Sequence, residues 1–265
     1  MGLAPLVAAA ALASPAERAA DFLLAHQQRG AFAEAGGQPS RALSAWATLG
    51  LAAAGRRVSV DFSAPLAQSK VATEVELGIL AANAPPATLN PFVRRSGAIG
   101  PTVNSTAWGV IALRQAGAAV SRRTMRWLLA RQAPSGGWSW APAGAPDSND
   151  TAAAIEALRA AGVSGAPIRR GLAYLRRLEQ PDGGFPLIPG SASDAQSTAW
   201  AIQAFVAAGA RPPGRAFRYL LRLQRPDGSF RYSRRYAITP VFVTAQVLPA
   251  LVRKAYPLRS RSSRS

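Results

Sequence analysis

The chain repeats itself, and the repeat leaves few architectures open. A hydroxyl residue, a run of small and apolar side chains and a closing glycine make one frame from Thr198 to Gly209, and it recurs from Ser44 to Gly55, Thr106 to Gly117 and Thr151 to Gly162. In each copy the glycine follows eleven positions after the hydroxyl residue, about three helical turns. A looser copy runs from Thr244 to Ala255, and a sixth from Ala72 to Asn83, where asparagine replaces glycine at the left-handed helix end. These runs carry almost no charge on any side, as helices covered on both faces do.

A second unit stands before them. Trp127-Leu128, Tyr174-Leu175 and Tyr219-Leu220 lead into Gln132-x3-Gly136-Gly-Trp138, Glu179-x3-Gly183-Gly-Phe185 and Gln224-x3-Gly228-Ser-Phe230. Pro-Asp-Gly turns at 181–183 and 226–228 end a helix, because proline stops it and glycine accepts positive φ. The aromatic then fills the gap before the next helix. Ahead of the last loop, Arg215, Arg218, Arg222 and Arg225 mark one helix face and Phe217, Leu220 and Leu221 the other, a wet outside and a packed inside. Outer and inner helices alternating at a 45 to 47 residue period predict an all-α chain, an α/α toroid of about six helical hairpins over 17–257. Its inner helices are expected at 44–55, 72–83, 106–117, 151–162, 198–209 and 244–255. An open solenoid shares this local sequence and differs only in whether the first and last hairpins touch.

Composition removes several chemistries. Without cysteine there is no disulfide, thiolate metal site or cysteine nucleophile, and His26 is the single histidine. A zinc site would need carboxylates from only 13 acidic residues, so no metal and no cofactor is expected. His26 ends the first outer helix and reads as structural. The net charge is +18, and all but Lys70 and Lys254 of the 31 basic residues are arginine. Such an exterior suits anionic surfaces, a membrane or wall polymer among them, while nothing in the sequence carries a nucleic-acid motif. No stretch reaches the length of a membrane span. The apolar run from Leu3 to Ala13, followed by small residues through Ala16, fits a signal peptide over 1–16 and an extracellular or cell-surface location. The arginine and serine tail over 258–265 is expected to be disordered.

The aromatic-Leu pair, the Gln-x3-Gly-x-Trp/Phe loop and the Thr-Ala inner helix together resemble the QW repeat of the prenyltransferase and squalene-cyclase superfamily. The likeness covers Glu17 to Pro257, with a degraded loop at Gly97-Ala98-Ile99. That superfamily includes terpene cyclases, zinc-dependent protein prenyltransferases, cobalamin carriers and exported bacterial proteins. Its prenyltransferases hold zinc with an aspartate, a cysteine and a histidine, and this chain has no cysteine. Its cyclases protonate their substrate with the middle acid of Asp-x-Asp-Asp-Thr-Ala and resemble two toroids in tandem. The matching stretch here is Asp147-Ser148-Asn149-Asp150-Thr151-Ala152, and the amide of Asn149 has no acidic proton to give. Asp147 and Asp150 remain as candidate acids for a diverged cyclase-like enzyme. The same two residues, and Asp194, also suit N-caps of inner helices.

The resemblance implies a central cavity walled by inner-helix N-termini, with Asn104, Thr106, Asp147, Asn149, Asp150, Asp194, Gln196, Tyr232 and Thr244 as its expected polar lining. Trp46, Trp108 and Trp200, each two positions after its hydroxyl residue, read as packing between the layers. A lining of this kind suits an apolar or amphiphilic ligand, isoprenoid-like or corrinoid-like. The function expected is therefore that of a non-catalytic, exported, ligand-binding toroid. The alternatives are the cyclase-like enzyme and a basic module docking on anionic cell-surface polymers.

Overall fold

A computed structural model of the protein describes residues 13–60, 66 and 68–258; the apolar run before Ala13 and the tail from Arg259 lie outside these. Six inner helices follow one another, α2 (Arg41–Ala53), α3 (Ala72–Ala82), α4 (Val103–Gln115), α6 (Ser148–Ala160), α8 (Ala195–Ala207) and α10 (Pro240–Leu251). Each packs on the next, and α10 packs on α2, so the array is a closed ring. The outer layer is formed by α1 (Pro15–Ala25), α5 (Arg122–Leu129), α7 (Ala166–Leu178), α9 (Gly214–Leu223) and a short 3-10 stretch, Pro86–Phe92. Among the described residues no helix stands between α2 and α3. The first helix begins at Pro15, where the Ser14 hydroxyl accepts from Glu17 N–H at 3.2 Å while the Glu17 carboxylate takes the Ser14 N–H at 2.7 Å.

Apart from α3, which starts at Ala72 as its frame does, the inner helices start three or four residues earlier than the repeat frame. The caps are Ser40, Thr102, Asp147 and Asp194, whose side chains accept from backbone N–H groups three residues on at 2.7–3.3 Å. The frame's Ser or Thr is then the fourth helical residue, the fifth in α10, and it has a different task. Its oxygen accepts the backbone N–H of the residue that plugs the preceding loop: Ser44 from Phe32 at 2.8 Å, Thr106 from Ile99 at 3.1 Å, and Thr151, Thr198 and Thr244 from Trp138, Phe185 and Phe230 at 2.9 Å. Phe32, Trp138, Phe185 and Phe230 are fully buried, so no water can replace the hydroxyl. Thr151→Val is expected to leave the Trp138 N–H unpaired and cost about 1–3 kcal/mol, with Thr151→Ser nearly neutral; urea unfolding of the two variants checks this.

The loop glutamine makes the joint between hairpins. Gln132 Nε2 donates to the carbonyls of Gly136 and Pro167, each at 2.8 Å, holding the first turn of α7. Gln224 Nε2 donates to Gly228 at 3.1 Å and to Pro15 at 2.8 Å, so the same joint fastens the last loop to the first helix. A second clasp spans the seam: α10 has no side-chain cap of its own, and Glu34 accepts the N–H groups of Val241 and Phe242 at 3.0 and 2.9 Å.

Helix ends follow the expected chemistry in five copies. Gly55, Gly117, Gly162 and Gly209 have φ of 69° to 87°, and Asn83 has φ 54°. The sixth differs, because α10 ends before Ala255 and Arg253 takes the left-handed turn at φ 52°, its guanidinium 4.7 Å from the Phe217 ring. Outer helix α9 also buries a different face, Ala216, Tyr219, Leu220 and Leu223, leaving Leu221 exposed. That is the i, i+3, i+4, i+7 stripe, one step round from the expected one. Few arginines are in ion pairs among the described residues. Arg114 and Arg159 instead reach the C-terminal ends of neighbouring inner helices, donating to Ala160 and Ala207 at 3.2 and 3.3 Å, where a cation complements the helix dipole. No described helix is long and apolar enough to cross a membrane. His26 meets the Phe22 carbonyl through Nδ1 at 2.8 Å and packs on the Phe22 ring, a structural placement.

Candidate functional site

With about 100° of rotation per residue, side chains two before and two after the outward-facing hydroxyl residue both point the opposite way. In the ring that direction is the axis. The pairs are Ala42 and Trp46 on α2, Asn104 and Trp108 on α4, Gln196 and Trp200 on α8, and Phe242 and Gln246 on α10. Together with Thr73, Glu76, Leu77 and Leu80 of α3 they line an axial cavity of about 300 Å³. Trp46, Trp108 and Trp200 thus wall the cavity, where packing between layers was expected. Trp46 meets Trp108 edge to face at 5.1 Å, and Trp108 meets Trp200 at 5.3 Å. Buried Tyr256, from the segment after α10, lies 5.6 Å from the Trp108 ring and is held by its N–H to Glu156 at 2.7 Å.

Of the residues expected to line the cavity, Asn104 and Gln196 do so. Thr106 and Thr244 face outward onto their loops, for the rotational reason above. Asn149 holds the register of Asn104 and is half-buried beside Ser148 Oγ, 3.3 Å away. Asn104 and Asn149 are second helical residues rather than caps. Asp194 caps α8, taking the N–H and hydroxyl of Ser197 at 2.7 and 2.8 Å, and burial pushes its carboxyl up to about 6. Tyr232 contributes its carbonyl, which accepts from Ala195 N–H at 2.7 Å. Its phenol is raised by burial.

Asp147 and Asp150 are both buried and close. Asp147 caps α6, and Asp150 accepts from Asn104 Nδ2 at 2.6 Å. Burial first, then the neighbouring Asp147, pushes the Asp150 carboxyl up to about 8, and burial raises Asp147 as well. Glu156 is likewise raised to about 8 by burial. A carboxyl whose folded pKa lies above its unfolded value stabilises the fold below the unfolded pKa and loses that contribution as pH rises through the folded one. Stability is therefore expected to fall from pH 4 to pH 8, each such group contributing up to about 1.4 kcal/mol per pH unit. Asp150→Asn should flatten the profile and raise the melting temperature at pH 8, read by thermal unfolding across that range.

The residue that sequence reasoning passed over is Glu76. It is 1% exposed, lines the cavity, and has neither carboxylate oxygen hydrogen-bonded among the described residues. Burial raises its carboxyl well above the ordinary range. The signal was present in the sequence as an acid between Val75 and Leu77, on the side of the inner helix away from Glu74 and followed by the apolar run Leu77-Gly-Ile-Leu80. Among the described residues no group of three or more His, Cys, Asp or Glu is placed to hold a metal. At the C-terminal end of the inner helices a second, wider recess of about 700 Å³ is lined by Arg56, Arg57, Arg159 and Lys254 with Glu156, and Tyr256 lies between it and the axial cavity.

No protein-family model and no curated protein sequence matches the chain. Solved structures do. A protein from Actinoplanes is 19% identical with a TM-score of 0.67, covering 90% of this chain and 98% of its own. The type II terpene cyclase MstE from Scytonema, in complex with geranylgeranyl dihydroxybenzoate, is 15% identical with a TM-score of 0.68, over 90% and 96% of the two chains. Candida albicans protein geranylgeranyltransferase-I complexed with GGPP is 11% identical with a TM-score of 0.62, over 89% and 90%. A glycosidase also matches, at 11% identity and a TM-score of 0.61. That solved cyclase chain is spanned by a single toroid, where two in tandem were expected of such chains. The closed ring of inner helices and these likenesses together give the chain the α/α-toroid fold of the terpene cyclases and prenyltransferases.

Proposed function

We propose that the protein binds an apolar, isoprenoid-like ligand in the axial cavity and does not transform it. The observation that carries this reading is the aromatic wall of Trp46, Trp108, Trp200 and Phe242 around about 300 Å³ of space inside the ring. That volume lies at the small end of ordinary ligand pockets, about 300–1,000 Å³. It suits a short or folded prenyl chain. The space favours an isoprenoid-like ligand over a corrin macrocycle. Two structures of similar fold hold geranylgeranyl compounds, according to their descriptions, and this supports the ligand class. The absence of turnover rests on Asn149, whose amide cannot deliver a proton to an alkene.

Fluorescence of the three cavity tryptophans, titrated with the ten-carbon alcohol geraniol, tests the binding. A saturable, one-to-one change is expected. No saturable change, together with no retained lipid in native mass spectrometry of protein from its own host, would overturn the reading; a new product from geranylgeranyl diphosphate would overturn the non-catalytic part. Export belongs to the same proposal. Cleavage at or before Ala13 keeps the Ser14–Glu17 cap intact, and N-terminal sequencing of the mature protein checks it.

A further inference from the structure

Among the described residues, Glu76 is the one ionisable side chain that lines the axial cavity. Its neighbours there do not answer it. Asn104 Nδ2 donates to Asp150 at 2.6 Å, and none of the other lining donors, the Thr73 hydroxyl and the Gln196 and Gln246 amides, reaches either Glu76 oxygen. A carboxylate buried without a partner is costly in a protein interior, so the carboxyl holds its proton until a cation comes to complete it. The rest of the wall shares its electrostatic preference, because indole rings carry negative π faces that attract a cation within about 6 Å. Carboxylate and tryptophans both attract positive charge, and no lining side chain supplies it. The positive ends of α8 and α10, which open at this end of the ring, are covered by the carboxylates of Asp194 and Glu34.

We infer that the ligand of the cavity is a cationic amphiphile, an apolar chain bearing a protonated or quaternary amine, with the amine held by the Glu76 carboxylate among Trp46, Trp108 and Trp200. This rests on the proposed binding function and specifies its ligand class. The apolar chain fills the space against Leu77, Leu80 and Phe242, and the ammonium supplies the charge that the wall lacks.

Geranylamine and geraniol share a carbon skeleton and differ in ammonium against hydroxyl, so they separate the two ideas. Calorimetry at pH 7 is expected to show geranylamine binding at least about tenfold tighter than geraniol. Glu76→Gln should remove that preference, so that the two compounds bind within about threefold of each other. Geranylamine should likewise raise the melting temperature of the native protein and not of Glu76→Gln. Should Glu76→Gln fail to fold, Trp108→Leu must reduce the amine preference in its place. Equal binding of the two compounds, or tighter binding of geraniol, overturns the cation inference and leaves the apolar cavity standing. Binding of neither overturns both.

Discussion

Gly228→Ala is expected to destabilise the protein by at least about 3 kcal/mol, through a left-handed backbone and a steric clash acting together. Gly228 has φ +89°, and a Cβ there would overlap the backbone carbonyl of Arg18 in the first helix. The same approach recurs at Gly97, Gly136 and Gly183 against Arg123, Arg170 and Arg215, so it belongs to the hairpin joint. At Gly228 the joint is the seam of the ring, where Gln224 also holds Pro15. Gly209→Ala is the control. Its φ is +69° with nothing within 4 Å of a built Cβ, so only the backbone term remains, about 1 kcal/mol. Urea unfolding of both variants decides it. Equal midpoints would show that the α1 to α9 seam is loose and the ring closed in outline only.

The two kinds of tryptophan should separate cleanly. Trp138 is fully buried between the layers and donates Nε1–H to the Leu128 carbonyl at 2.9 Å. Trp138→Ala is expected to cost about 3–5 kcal/mol. Trp108 borders space that is already empty, so Trp108→Ala enlarges a cavity rather than creating one, and its cost should stay below about 2 kcal/mol. It should nevertheless weaken geraniol binding by roughly tenfold or more, through lost aromatic contact. Unfolding midpoints and fluorescence titration of the two variants give the comparison. Weak destabilisation by Trp138→Ala, or unchanged binding in Trp108→Ala, would show that the assignment of the two layers is reversed.

Much of this architecture was legible because it depends on local chemistry repeated along the chain. Glycine or asparagine at a helix end, proline and glycine in a loop, and an uncharged helix following a charged one each follow from backbone sterics and burial within a few residues. Repetition then fixed the number of inner helices. The seam was less legible, since the contacts of Gln224 with Pro15 and of Glu34 with Val241 join residues some two hundred positions apart. Nothing local distinguishes Gln224 in a closed ring from Gln224 in an open solenoid.

The site was read with the right helices and partly the wrong faces. The sequence by itself determined that the Thr106, Thr198 and Thr244 frames carry a large or polar side chain two positions to either side of the hydroxyl residue, and the Ser44 and Thr151 frames on one side, because those spacings stand in it. Two residues on a helix differ by about 200°, so one set must face the loops and the other the axis, and the spacing is the same either way. Only the tertiary structure chose, by setting Thr106, Thr151, Thr198 and Thr244 against buried loop N–H groups and turning Trp46, Trp108 and Trp200 inward. Glu76 follows the same logic. Its charge is plain in the sequence, but its isolation is a property of the five helices around the cavity, which bring donors to the same lining without setting any of them within hydrogen-bond reach of it.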